Sequence, residues 1–132
     1  MGPRFLLISV AALAGAGAAM AAAPRNLDAH QRDTIRHYVL REAKASILSP
    51  HDGEPKQFAG VLAEALRAAG TWVAVDQNNS VAPGETGVTV IYDHDVPADS
   101  SIFLALQRAG LNPKDVDVPG APVATVVVGP QP

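Results

Sequence analysis

The alternation of apolar and polar residues predicts three helices and up to five short strands. The clearest helix starts at Pro55 and carries apolar residues at helical spacing until Gly70, which is placed to end it. A weaker helical pattern covers residues 28–41, and a third helix is predicted over residues 99–109. Short apolar runs predict the strands, at residues 43–48, 72–75, 87–92, 116–118 and 123–128.

These elements include two strand–helix–strand units, which indicate an α/β sheet. The two units resemble each other, because each first strand is followed by a His-Asp pair, a helix, a glycine and a second strand. The apolar run of residues 87–92 favours burial on both faces. The predicted fold is therefore a three-layer α/β domain with a mostly parallel or mixed sheet of four to five strands, and helix 28–41 covers one face. A two-layer split βαβ fold of the ferredoxin-like type is the alternative.

Composition and charge restrict the classes of partner. The chain has 132 residues, which suits one domain, and its formal net charge is -3. This acidity argues against a nucleic-acid binder and against electrostatic attachment to anionic lipid. Without cysteine, the protein has no disulfide framework and no thiolate metal site.

The first residues have the layout of a secretory signal peptide. Arg4 precedes a long apolar stretch, and Ala19-Met20-Ala21 fits the small-x-small cleavage rule, so residues 1–21 are predicted to be removed. The alternative is an uncleaved membrane anchor, since the stretch is close to the roughly 20 residues that span a bilayer. Residues 22–27 then form a flexible leader, and residues 28–132 form a single domain. The predicted location is periplasmic or secreted, or anchored to the membrane with the domain outside the cytoplasm.

The two His-Asp loops are the candidate site. If strands 43–48 and 87–92 run parallel, both loops leave the same edge of the sheet, where open α/β sheets bind ligands. The apolar strands favour this arrangement, whereas a hairpin closed by residues 77–86 would place the loops at opposite ends. The candidate residues are His51, Asp52, Asp93, His94 and Asp95. Imidazole and carboxylate groups can hold zinc or another divalent ion, and a histidine beside a carboxylate can act as a general base. The aspartates equally suit helix capping, which requires no ligand.

Two stretches carry a resemblance to a known group of proteins. One is the helix pattern FAxxLxxALRxAGxW, which starts at Phe58, and the other is the ending Val128-Gly129-Pro130-Gln131-Pro132. Together they resemble a small α/β domain of uncharacterised bacterial cell-envelope proteins, over about residues 30–132. The chain departs from that pattern at Thr71 and at Gln131, where a lysine is expected. The resemblance implies an N-terminal hydrophobic segment and brings no activity, cofactor or site residue.

The sequence therefore predicts an exported binding or accessory module of the cell envelope, without catalysis and without a cofactor. Its partner would be an envelope protein or a cell-wall component, and not nucleic acid. The membrane is a partner only if the N-terminal segment stays uncleaved. The alternative is binding of a divalent metal or small ligand at the His-Asp loops, including a hydrolytic activity there.

Overall fold

A computed structural model describes residues 23–78 and 86–132 of the chain, in which eight elements follow the predicted order. The predicted signal peptide and most of the connector before the third strand lie outside these residues. The helices are α1 (Ala29–Tyr38), α2 (Gly53–Ala68) and α3 (Pro97–Arg108). The strands are β1 (Lys44–Leu48), β2 (Trp72–Asp76), β3 (Val88–Tyr92), β4 (Lys114–Asp117) and β5 (Ala124–Val128).

The five strands form one mixed sheet in the order β2-β1-β5-β3-β4. Strand β1 is parallel to both β2 and β5, and β3 is parallel to β4. The pairing of β3 with β5 is antiparallel. The sheet therefore contains two parallel βαβ units, β1-α2-β2 and β3-α3-β4, which run in opposite directions on either side of β5.

Both crossover helices lie on the same face of the sheet. The two units run in opposite directions and extend to opposite sides of β5, so two right-handed crossovers place α2 and α3 on one face. Burial follows the same geometry, because side chains alternate between buried and half-buried along β1 and β5. Ile47 and Val126 are completely buried against the helices, together with Phe58, Leu62 and Leu106. Exclusion of these side chains from water is the main favourable contribution to folding.

Helix α1 packs mainly against α2 and α3, so that sheet, helix pair and α1 form three successive layers. The expectation that this helix covers one face of the sheet directly is therefore wrong. Among the described residues, the structure confirms the predicted class: an α/β fold with a five-stranded mixed sheet and three helices. These helices are too short or too polar to cross a membrane.

Helix α1 is fixed at its start by a capping box. The Asp28 carboxylate accepts the N–H of Gln31, and the Gln31 side chain accepts the N–H of Asp28. Ile35 of the helix is buried in the core, and so are Leu27 and Val39, which flank the helix on either side. The helix ends at Tyr38, three residues earlier than predicted, because Val39 is already extended.

The segment just before α1 makes side-chain contacts with the rest of the domain through Arg25. The Arg25 guanidinium donates to the Glu54 carboxylate at 2.6 Å and 2.9 Å, and to the Gly129 carbonyl at 2.6 Å. The same group lies over the Phe58 ring, 4.7 Å from its centroid. Leu27 is buried beside these contacts. Arg25 thus ties the start of the described chain to α2 and to the end of β5.

Candidate functional site

The two His-Asp loops lie at opposite edges of the sheet, and the prediction of a common edge is wrong. The His51 loop follows β1 and the His94 loop follows β3. Because β5 is parallel to β1 and antiparallel to β3, the carboxyl ends of β1 and β3 point in opposite directions. Both units are parallel βαβ units, and a half-turn about an axis perpendicular to the sheet relates their directions. That rotation separates the two equivalent loops by the length of a strand.

The His51 loop is a solvated turn. His51 Nε2 lies 3.5 Å from Asp52 Oδ2, and their side chains are 73% and 80% exposed. Asp52 stands just before α2, but its side chain makes no capping hydrogen bond. Gly53, the first residue of α2, has a left-handed backbone with φ of 79°, which glycine adopts without a steric penalty. This loop brings no further carboxylate or imidazole to the predicted site.

The His94 loop is structured by two aspartates that the sequence analysis did not select. His94 Nε2 lies 2.7 Å from Asp115 Oδ1, and the Asp117 carboxylate accepts the His94 backbone N–H at 3.1 Å. Both aspartates come from β4, whose register places Asp117 beside Tyr92. The sequence did contain a signal for this pair. Asp115 and Asp117 are two residues apart in a predicted strand, so their side chains lie on the same face and can act together.

Hydrogen bonds within this loop shift two pKa values. The Asp115 carboxylate accepts a hydrogen bond from the His94 ring and raises the pKa of His94. The Asp93 carboxylate accepts the backbone N–H groups of Gly120 and Asp95, which lowers the pKa of Asp93. These bonds engage Asp93 and His94 in holding the loop against β4. Within residues 23–78 and 86–132, no group of three or more histidine, aspartate and glutamate side chains is arranged to hold a metal ion.

Tyr92 connects the His94 loop to the interior of the protein. Its ring is 4% exposed and contacts the His94 ring, with centroids 4.6 Å apart. On the other side it stacks on Phe103 of α3, at 5.9 Å between centroids. Burial, together with the nearby Asp115 carboxylate, raises the pKa of Tyr92 to about 12. Tyr92 therefore remains neutral and supplies an aromatic wall.

That wall belongs to a cleft of about 470 Å³ between the end of α1 and the first turns of α3, which we call the α1–α3 cleft. Its lining is mostly apolar and consists of Tyr38, Leu40, Tyr92, Pro97, Ser100, Ser101, Phe103 and Leu104. The Ser101 hydroxyl accepts the Leu40 N–H at 2.9 Å and donates to the Ala98 carbonyl at 2.6 Å. This bridge fixes the loop after α1 to α3 and sets the width of the cleft.

One wall residue of the cleft, Tyr38, also contacts a cationic group. The Arg108 guanidinium lies 5.7 Å from the centroid of the Tyr38 ring, within the range of a cation–π contact. The opposite side of the cleft borders the acidic His94 loop through Tyr92. The cleft is open to solvent on one side, so it can contact one face of an apolar or aromatic group and leave a polar substituent in water. Sequence reasoning missed the cleft because its walls come from elements far apart in the chain.

Comparison with known proteins identifies no relative of this chain. No protein family matches the chain, and no curated protein or solved structure shows significant similarity to it. The resemblance to bacterial cell-envelope proteins therefore stays a prediction.

Proposed function

We propose that the protein is an exported binding module of the cell envelope, without catalysis, that holds a small aromatic molecule in the α1–α3 cleft. The observation that carries the proposal is the cleft itself. Its volume of about 470 Å³ falls within the range of small-molecule sites, roughly 300–1,000 Å³. Its lining is mostly apolar with a few polar groups, which is the usual composition of such sites.

The chemistry of the walls favours an aromatic ligand over an extended alkyl chain. Tyr92 and Phe103 present stacked rings, and Tyr38 closes the cleft from α1. Aromatic pairs in offset or edge-to-face geometry contribute about 0.5–1.5 kcal/mol beyond the area that they bury. A flat ring packed against the half-buried side chains of Phe103 and Tyr38 obtains that contribution, whereas an alkyl group obtains only the burial term.

The proposed location is supported by the N-terminal sequence. An apolar stretch followed by Ala19-Met20-Ala21 is the pattern that signal peptidase recognises. We expect mass spectrometry of the protein expressed in a bacterium to find a chain that begins at Ala22 in the periplasm or medium. An Ala21→Arg variant should keep its N-terminal segment. Retention of wild-type protein in the cytoplasm would contradict export.

Ligand binding can be tested by two-dimensional NMR with indole as the probe. Indole should shift the amide resonances of Leu40, Phe103 and Leu104 in a saturable manner. Cyclohexane carboxamide, an alkyl ring of similar size, should bind at least about threefold more weakly if ring stacking contributes. The absence of saturable shifts up to the solubility limit of indole would refute the site.

A pair of tryptophan variants tests whether the cleft is where indole binds. Ser100→Trp places a large side chain in the cleft and should abolish the shifts. Gln57→Trp introduces the same side chain on the exposed surface of α2, away from the cleft, and should leave binding unchanged. Equal binding by both variants would place the indole elsewhere on the protein.

A further inference from the structure

The sheet face opposite the helices is not covered by any element in residues 23–78 or 86–132. The register of the strands places two complete rows of side chains on it. One row runs Ala74, Ser46, Thr125, Ile91 and Val116 across the five strands. The next row runs Asp76, Leu48, Val127, Thr89 and Lys114. We call the surface formed by these two rows the open sheet face.

Within these two rows, the charged residues lie only at the outer ends of the second row. Asp76 lies at the β2 end and Lys114 at the β4 end, and both are exposed. Between them, all residues of both rows are apolar or carry a hydroxyl group. In the row beyond, Trp72 of β2 is 61% exposed beside the exposed Lys44 of β1, and Val118 is 41% exposed. The solvent-facing side of a sheet normally carries charged and polar side chains, so the apolar composition of these two rows indicates a contact surface.

We propose that the open sheet face binds the same face of a second copy of this chain. In a face-to-face pair, the twofold axis can run parallel to the central strand β5, between the two sheets. Strand β2 of one copy then lies over strand β4 of the other, and β1 lies over β3. Val127 and Thr125 then lie on the axis and meet their own equivalents. Sheets packed face to face lie about 10 Å apart, with side chains of both faces interdigitated between them.

Charge complementarity selects this partner over an unrelated apolar surface. Under the same axis, Asp76 of one copy faces Lys114 of the other, and the contact occurs twice. The Asp76 carboxylate also accepts the Asn78 N–H at 3.1 Å, which holds it at the end of β2. Trp72 comes opposite the Val118 side of the second copy. The exposed apolar residues at the two ends of the face therefore cover one another.

The size of the face predicts a reversible dimer. Five strands at about 4.8 Å spacing extend roughly 19 Å between the outer strands, and the rows occupy only the middle of each strand. Such an area is at the low end of specific interfaces, so we expect a dissociation constant in the micromolar range.

Sedimentation velocity of the purified protein, from about 5 µM to about 1 mM, tests the dimer. The expected result is a monomer–dimer equilibrium that Thr125→Lys shifts toward monomer by at least about tenfold in Kd, because it places two lysines on the axis. Gln107→Lys adds the same charge to the exposed surface of α3 and should leave the equilibrium unchanged. Circular dichroism checks that both variants remain folded.

Exchange of the two charges tests the orientation of the copies. Asp76→Lys and Lys114→Asp should each weaken the dimer, and the double variant should recover the wild-type Kd because it restores both ion pairs. A monomer at every concentration overturns the proposal, as does a dimer that Thr125→Lys leaves intact. Failure of the double variant to recover overturns the twofold arrangement. None of these outcomes depends on ligand binding in the α1–α3 cleft.

Discussion

Neighbouring valines on β5 provide a direct test of which face of the sheet is the core. Val126 is completely buried between the sheet and the helices, whereas Val127 is half-buried on the open sheet face. Truncation of Val126 to alanine removes about two methylene equivalents, at about 0.8 kcal/mol each, and leaves a cavity. We expect Val126→Ala to lower the free energy of unfolding by about 2–3 kcal/mol. Val127→Ala has the same change in strand propensity but leaves no enclosed cavity, so its cost should be at least about 1.5 kcal/mol smaller.

The comparison requires an unfolding assay that reports on the whole sheet. Urea unfolding followed by far-ultraviolet circular dichroism is suitable, whereas the single tryptophan, Trp72, is already 61% exposed and is a weak reporter. Measurements at about 2 µM and at about 50 µM protein separate the loss within one chain from any contribution of the proposed dimer, because only the dimer contribution changes with protein concentration. The midpoint of thermal unfolding should differ between the two variants by about 6 °C or more. Equal losses would show that both faces are enclosed, and would refute the placement of α2 and α3 on one side.

Three further predictions concern single contacts. Arg25→Ala should cost about 1–3 kcal/mol of stability, because it leaves the half-buried Glu54 carboxylate without its charged partner. Burial alone would raise the pKa of Glu54, but the hydrogen bonds and the charge of Arg25 lower it. The stability of the wild type therefore falls as the pH drops through that lowered pKa. In urea titrations at acid pH, Arg25→Ala should lose less stability than the wild type does. Asp115→Asn should lower the pKa of His94 in an NMR titration; in the wild type this bond stabilises the fold at acid pH and is lost as the pH rises through the raised pKa. Thr71→Val should stabilise the protein by about 1 kcal/mol in thermal melts, since the Thr71 hydroxyl is buried and has no hydrogen-bond partner among the described residues.

The elements of the fold could be predicted because local patterns decide them. The helical spacing from Phe58 to Leu66 and the stop at Gly70 correspond to α2 and its end, and every predicted strand is present. The errors in the predicted elements are at their ends, because the capping residues set where a helix begins and ends. Helix α3 begins at Pro97 rather than Asp99, because proline at the first helical position loses no hydrogen bond.

The candidate site could not be predicted because it depends on the order and direction of strands. The sequence shows that His51 and His94 follow equivalent strands, but it does not show that β5 inserts between those strands and pairs antiparallel with β3. One reversed strand pairing moves a histidine across the molecule. Likewise, Asp115 meets His94 only because β4 lies beside β3, and this contact is not local in the chain.

The position of β5 makes the last strand in chain order the one that joins the sheet. It pairs with β1 on one side and β3 on the other, and those two strands have no direct pairing. A chain cut short before Ala124 would lose the strand that joins the pair β1-β2 to the pair β3-β4, and the buried side chains of Val126 and Val128 with it. We therefore expect such a chain to be digested by proteases faster than the full chain, because its two strand pairs are held together only through the helices.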